Sequence, residues 1–168
     1  YCIVPYTRGK QRSRRIEDIV REVEELVEKG YKEVTLLGHN VNAYGYDVEE
    51  GNSFDVLLSK VAETGIPRVR FVTSHPAYFK EEVFKVMAKY DNIMPSLHLP
   101  VQSGSDDILK KMNRHYDSKT YLELVDMLRK YVPDVYLTTD IIVGFPNETR
   151  EDFEKTLELC KKVKFDSA

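Results

Sequence analysis

Short β-type apolar runs alternate with segments of helical spacing along the whole chain, and this alternation constrains the fold more than any other feature. Ile16, Ile19, Val20, Val23, Leu26 and Val27 recur at helical spacing, with Ser13 placed to cap the start and Gly30 to stop the end. A β-type run from Val34 to Leu37 follows and ends at Gly38. Phe54, Leu57, Leu58 and Val61 mark the next helix, after the turn Gly51-Asn52-Ser53. Val69, Phe71 and Val72 mark a strand that ends at Thr73-Ser74-His75-Pro76. Val83, Phe84, Met87 and Tyr90 give a third helix, and Ser96 to Leu99 a strand broken by Pro100. Ile108, Leu109 and Met112 share one face of a short helix. Tyr121, Leu122, Val125 and Leu128 line a longer one, with Ser118 available as its cap. Val135 to Val143 is the longest β-type run and stops at Gly144-Phe145-Pro146. Thr149 with Asp152 has the form of a capping box, with Asp in place of Glu, before a helix lined by Phe153, Leu157 and Cys160. Phe165 opens a further strand.

Strands separated by helices imply a parallel sheet with crossovers. No Gly/Ser-rich linker and no short repeat divides the chain. Two architectures satisfy the pattern: an open doubly wound sheet, or a βα barrel, whole or partial. Both gather ligands beyond the C-terminal ends of the strands.

The polar residues concentrate at those ends. The first run leads into Gly38-His39-Asn40-Val41-Asn42-Ala43-Tyr44-Gly45 and the second into Thr73-Ser74-His75. The third leads into Val101-Gln102-Ser103-Gly104-Ser105-Asp106, and the fourth into Gly144 to Thr149. Each loop alone is an ordinary βα turn, and Ser105 or Asp106 can cap a helix. Four such loops on one rim point to a site, and their amides and hydroxyls suit a ligand with ribose hydroxyls and an amino-acid end. His39, His75, His98 and His115 lack the close spacing of a helical zinc motif. His98 and His115 read as structural residues. Cys160, on an amphipathic helix, reads as a small buried hydrophobe.

Composition limits the setting. The 168 residues, 42% hydrophobic and 32% charged, suffice for one domain with a sizeable core. No apolar stretch approaches a membrane span, and two cysteines give no disulfide framework, so a cytoplasmic location is expected. A net charge of −3 gives no general support for nucleic-acid binding. Arg8, Lys10, Arg12, Arg14 and Arg15 nevertheless all precede the first acidic residue, Glu17, as a cluster able to contact phosphates or as a solvated loop.

Tyr1-Cys2 followed by Ile-Val-Pro-Tyr-Thr-Arg-Gly resembles the end of the Cys-x3-Cys-x2-Cys loop of radical S-adenosylmethionine (SAM) enzymes. Residues 38–45, 73–76, 97–106 with 112–116, and 140–149 match in order the motifs of one branch, the MiaB-type tRNA methylthiotransferases. The likeness covers essentially the whole chain. It implies a partial βα (TIM-like) radical SAM barrel, here a fragment lacking the first strand and truncated at the last. Residues 1–168 would be part of the core domain, apart from an N-terminal cluster-binding domain and a C-terminal TRAM domain.

The resemblance also implies chemistry. Three thiolates hold three irons of a [4Fe–4S] cluster and leave one iron to chelate SAM, whose cleavage yields a 5′-deoxyadenosyl radical. Cys2 would be the third thiolate, and Tyr1 the aromatic beside the adenosyl group. Gly38, His39 and Asn40 would meet the methionine amino group, and Gln102, Ser103 and Ser105 ribose or methionyl groups. The turn from Ile142 to Glu148 would support adenine, and Arg114 would pair with the methionine carboxylate. A second cluster in the intact protein would serve sulfur transfer. The implied reaction is methylthiolation at C2 of N6-isopentenyladenosine 37 in the tRNA anticodon loop, by a monomer reduced by a donor such as flavodoxin. Threonylcarbamoyl-adenosine tRNA and a ribosomal-protein aspartate are alternative substrates, and a non-catalytic RNA-binding or scaffold module is a reading of another class. Two residues depart from the family pattern: His39 stands where Gln is more common, and Asn147 where Gly is usual.

Overall fold

Each helix after the first forms where an apolar face, a first-turn carboxylate or a capping side chain favours it. The computed structural model describes residues 3–48, 51–72 and 74–168. A short helix, α1 (Val4–Arg8), precedes α2 (Ile16–Glu28), whose first turn carries Glu17 and Asp18. Strand β1 (Glu33–Leu36) is followed by α3 (Phe54–Glu63), β2 (Arg68–Phe71) and α4 (Glu81–Lys89). Then come β3 (Ser96–His98), α5 (Asp106–Lys111), α6 (Ser118–Tyr131), β4 (Tyr136–Thr138) and α7 (Arg150–Val163). The capping box of α7 forms as the sequence predicts, with Thr149 accepting from Asp152 N and Asp152 accepting from Thr149 N.

Two expected caps are corrected. Arg15, not Ser13, occupies the start of α2, because the Ser13 hydroxyl bonds Asp47 instead. Asp117, not Ser118, caps α6, its carboxylate accepting from Thr120 N at 2.7 Å.

β1 and β2 pair in parallel from Glu33↔Arg68 to Leu36↔Phe71, and β3 and β4 from Ser96↔Tyr136 to His98↔Thr138. Isolated parallel bridges join Val69 to Ile93 and Thr138 to Ser167. The described strands thus form two parallel pairs, β1–β2 and β3–β4, and the bridge from Val69 to Ile93 brings the segment just before β3 beside β2. Where Phe165 was expected to open a further strand, only the isolated bridge at Ser167 forms.

One face of the strands is apolar and lies under the helices. Val69, Leu97, Leu99 and Leu137 are fully buried there, against Leu58, Phe84 and Leu128 from α3, α4 and α6. Each such side chain contributes about 1.5–3 kcal/mol by leaving water. The opposite face is polar. Glu33 pairs with Arg68 and Arg70, and His98 bonds Thr138 at 2.8 Å and Asp140 at 3.2 Å.

The run from Val135 to Val143 is not one strand. The register between the third and fourth strands slips by one residue, from His98↔Thr138 to Gln102↔Ile141. Leu99 N donates to Thr138 O at 2.8 Å, but the ladder resumes only with Gln102 N to Asp140 O at 2.9 Å. Val101 is the extra residue, a bulge. Its N–H donates to the Thr139 hydroxyl at 2.9 Å, and its carbonyl accepts from Tyr116 Oη at 2.9 Å. Thr139 Oγ1 in turn donates to Leu99 O at 2.9 Å, where Tyr121 Oη also donates at 2.8 Å. Side chains thus replace the missing ladder bonds.

Thr139→Val keeps the shape but leaves the fully buried Val101 N–H without an acceptor. The expected cost is roughly 1–3 kcal/mol, read as a lower denaturant midpoint for the intact protein. An unchanged midpoint would remove Thr139 from this role.

Candidate active-site rim

The loop after β1 is built around a 3-10 turn, Val41–Ala43, with all three residues buried. Gly38 lies beside it, where a Cβ would be at ordinary contact distance, 3.4 Å, from Val41 Cα. Asn42 ties this loop to the one after β2. Its amide donates to His75 O and its carbonyl accepts from His75 N, both at 2.9 Å. His39 is exposed, whereas Asn40 is half-buried with a buried Oδ1 that has no hydrogen-bond partner. Ser74 Oγ is likewise buried without a partner.

His75 is held from several sides. Its Nδ1 accepts from Ala77 N at 3.2 Å, so its proton sits on Nε2. The ring meets Tyr78 and Tyr116 edge-on, at 5.2 and 5.6 Å between centroids. Burial, reinforced by the nearby Arg114 and His115 charges, pushes its pKa down to about 4. It is a neutral donor at ordinary pH. Arg114 stands beside it, half-buried, with Nε donating to Tyr116 Oη at 3.1 Å and its guanidinium 5.5 Å from the Tyr116 ring centre.

Ser103 and Ser105 do not present hydroxyls to a ligand, which corrects their expected role. Both are fully buried. Ser103 Oγ pairs with Thr156 Oγ1 at 3.3 Å, and Ser105 Oγ donates to Asp152 Oδ1 at 2.5 Å. The Ser105 hydroxyl, with the Thr149 backbone and hydroxyl, holds the Asp152 carboxyl well below the usual carboxylate range. Between the two serines, a Cβ on Gly104 would sit 2.6 Å from Lys155 O. Only glycine allows α7 to approach so closely. These residues therefore fasten the loop after β3 to α7 and leave Gln102 at the edge. Gln102 is half-buried in the left-handed region, φ 69°, and its carbonyl accepts from Ile142 N at 2.9 Å.

Beyond β4, half-buried Ile142 leads into a turn that Glu148 closes, accepting through Oε2 from Gly144 N. Glu148 Oε1 is buried without a partner. Asn147 has φ 65°, which explains how Asn replaces the usual Gly, since Asn tolerates this conformation better than other side chains.

The remaining titratable candidates are structural or exposed. His98 is satisfied by Thr138 and Asp140, and His115 lies on the surface rather than in a core. Cys160 is half-buried, and burial pushes its thiol up. No cluster of three metal-ligating side chains occurs among the described residues. The expected ligand Cys2 and its neighbour Tyr1 lie outside the described residues, as does Thr73.

The Radical SAM superfamily profile matches residues 1–160. The chain belongs to the radical SAM superfamily. Among curated proteins, it is 58% identical to a tRNA-2-methylthio-N(6)-dimethylallyladenosine synthase of Clostridium perfringens (strain SM101 / Type A). It is 57% identical to the protein of the same name from Malacoplasma penetrans (strain HF-2). Both alignments take in all of this chain but only 38% and 35% of those proteins, so the chain spans little more than a third of the relatives it matches. Among solved structures, the apo cobalamin-dependent S-adenosylmethionine radical enzyme OxsB superposes with a TM-score of 0.66 at 12% identity, over 89% of this chain and 23% of that one. At that identity the likeness concerns the fold alone.

Membership in the radical SAM superfamily implies use of SAM and an iron–sulfur cluster. The described residues fit the first of these. Asn40 Oδ1, Ser74 Oγ and Glu148 Oε1 are the buried side-chain polar atoms without partners among the described residues, and they lie in the segments that follow β1, β2 and β4. An amide oxygen and a carboxylate oxygen only accept. Buried and unpaired, they call for donors such as an ammonium, ribose hydroxyls or an exocyclic amine.

Sequence reasoning missed Asn42, Thr139, Tyr116 and Thr156, whose roles depend on partners 33, 38, 15 and 52 residues away. It noted His75 without a role.

His75 yields a pH dependence with a definite sign. The unfolded chain takes up its proton near pH 6.5 and the folded chain only near 4. Stability should therefore fall as pH drops from about 6.5 to about 4, with no further loss from this group below that range. The denaturant midpoint of the intact protein, compared with His75→Gln across these pH values, tests this. Parallel profiles would show that His75 is not held neutral.

Proposed function

We propose that residues 1–168 are part of the core domain of a longer radical SAM methylthiotransferase, which acts at C2 of N6-isopentenyladenosine 37 of tRNA. The observation that carries this reading is the 55–58% identity over the full chain to synthases named for that product. Sequential parallel neighbours, with no reversal of strand order among the described strands, favour a partial barrel over a doubly wound sheet. The relatives' greater length supports further domains, among them an N-terminal one with a second cluster and a C-terminal TRAM domain that grips the anticodon loop. A monomer in the cytoplasm, reduced by a flavodoxin-like donor, suits this role, and no described helix is long and apolar enough to cross a membrane.

Cys2 would hold the cluster with two further thiolates, and Tyr1 would pack beside the adenosyl group. When bound, the cluster and SAM supply the one-electron chemistry that activates an aromatic C–H bond. The chain's own residues bind and orient. Asn40 and the backbone of Gly38 and His39 would receive the methionine ammonium, and Arg114 its carboxylate. Ile142 and the Glu148 turn would seat the adenine, and Gln102 would close the ribose edge. Ser103 and Ser105 act through the loop they fasten. His75, clamped by Asn42, offers an N–H that needs no change of protonation.

Two measurements test this reading. The intact protein, reduced anaerobically with SAM and isopentenylated tRNA, should yield the methylthio nucleoside. Product on threonylcarbamoyl-adenosine tRNA or a ribosomal-protein aspartate instead would overturn the substrate, and RNA binding with no cluster would favour a non-catalytic module. Independently, Glu148→Gln in the reconstituted protein should weaken SAM binding about tenfold or more, by equilibrium dialysis, through loss of a charge-assisted acceptor. Unchanged affinity would remove Glu148 from the site.

A further inference from the structure

A cavity of about 200 Å³ opens on the same rim, between the loops that follow β1 and β2. Tyr44, Tyr46, Tyr78 and Lys80 line it, and Asn42 forms its boundary with the His75 clamp. Tyr46 is 58% exposed, so its ring is open to a ligand. It meets Tyr78 edge-on at 5.4 Å, and Lys80 Nζ lies 5.5 Å from its ring centre. The wall is close-packed: Gly45 has φ 90°, and a Cβ there would fall 1.4 Å from Asn52 O.

The basic segment before α2 is strapped to this wall. Gln11 Nε2 donates to Ala43 O at 2.7 Å and Ser13 N to Asp47 Oδ2 at 2.7 Å. Gly45 N donates to Ser13 Oγ at 3.1 Å, and Tyr44 Oη to Arg14 O at 2.5 Å. Arg14 and Arg15 pair with Glu22 and Glu17. Arg8, Lys10 and Arg12 are exposed, with no ion pair among the described residues. Of the nearby acidic groups among the described residues, Asp47 is held by the strap itself, and Asp55 sits in the first turn of α3, where the helix end favours it; Glu49 and Glu50 lie outside the described residues.

An aromatic cavity beside a line of unpaired cations suits a ligand that carries planar rings on a repeating anion. We propose that this cavity receives a nucleobase of single-stranded RNA adjacent to the modified one, stacked on Tyr46 and met edge-on by Tyr78, while Lys80 and Arg12 contact the flanking phosphates. The proposal rests on the tRNA reading above and deepens it. Anchoring a neighbour would hold the strand while the target base turns toward the His75 side of the rim.

The test uses the intact protein and anticodon stem-loop RNAs with 2-aminopurine placed in turn on either side of the target. One position should be quenched on binding. Tyr46→Ala should abolish that quenching and weaken binding about tenfold, whereas Tyr46→Phe should retain both. Arg12→Ala should reduce the slope of log affinity against log salt by about 0.7. Wild-type affinity and quenching in Tyr46→Ala, with methylthiolation intact, would overturn the pocket and leave the proposed function standing. A lowered melting temperature of Tyr46→Ala with RNA affinity unchanged would also overturn it, by showing that another segment of the protein covers the cavity. Tyr46-dependent quenching in a protein that methylthiolates no RNA would uphold the pocket and reject the function.

Discussion

The one-residue slip at Val101 depends on a set of hydroxyls, and much of the rim depends on the slip. Backbone groups buried at the end of β3 cannot be left unpaired, and the normal ladder to β4 is broken there. Thr139, Tyr116 and Tyr121 supply the missing bonds. The slip carries Gln102 into a left-handed conformation at the rim and sends the following Ser103-Gly104-Ser105 inward against α7. A regular strand would have kept alternating side chains between the two faces. The bulge is what turns this loop from a strand extension into an anchor.

The same economy appears in the other loops. Each strand end is fastened by one well-satisfied polar residue and leaves another exposed or unpaired. Asn42 is consumed in binding His75, while Asn40 keeps a buried, partnerless oxygen. Asp152 holds Ser105 and Thr149, while Glu148 keeps one free oxygen. Anchors make the rim rigid, and the neighbouring unpaired acceptors give it a standing preference for a ligand rich in donors. Rigidity matters for radical chemistry because the reactive group must meet one bond of the substrate and no solvent or side chain.

The sheet itself is asymmetric. Its helix-covered face is a dense apolar layer, and its other face carries Glu33 with Arg68 and Arg70, and His98 with Thr138 and Asp140. A parallel sheet of this kind normally has both faces covered.

Residue order alone was enough to read the alternation of helices and strands, the parallel sheet, the α7 capping box and the rim on which polar residues gather, because these follow from local periodicity and turn chemistry. The family motifs were legible too, as runs of adjacent residues. Ser103 and Ser105 looked like ligand contacts because short hydroxyl residues in a strand-end loop are ambiguous until their neighbours are known. Their partners, Thr156 and Asp152, are brought to them by the close approach of α7 over Gly104. The Val101 slip, the neutral His75 and the strapped aromatic cavity were equally hidden. Each arises from contacts between residues 15 to 40 positions apart, and no local pattern encodes such distances.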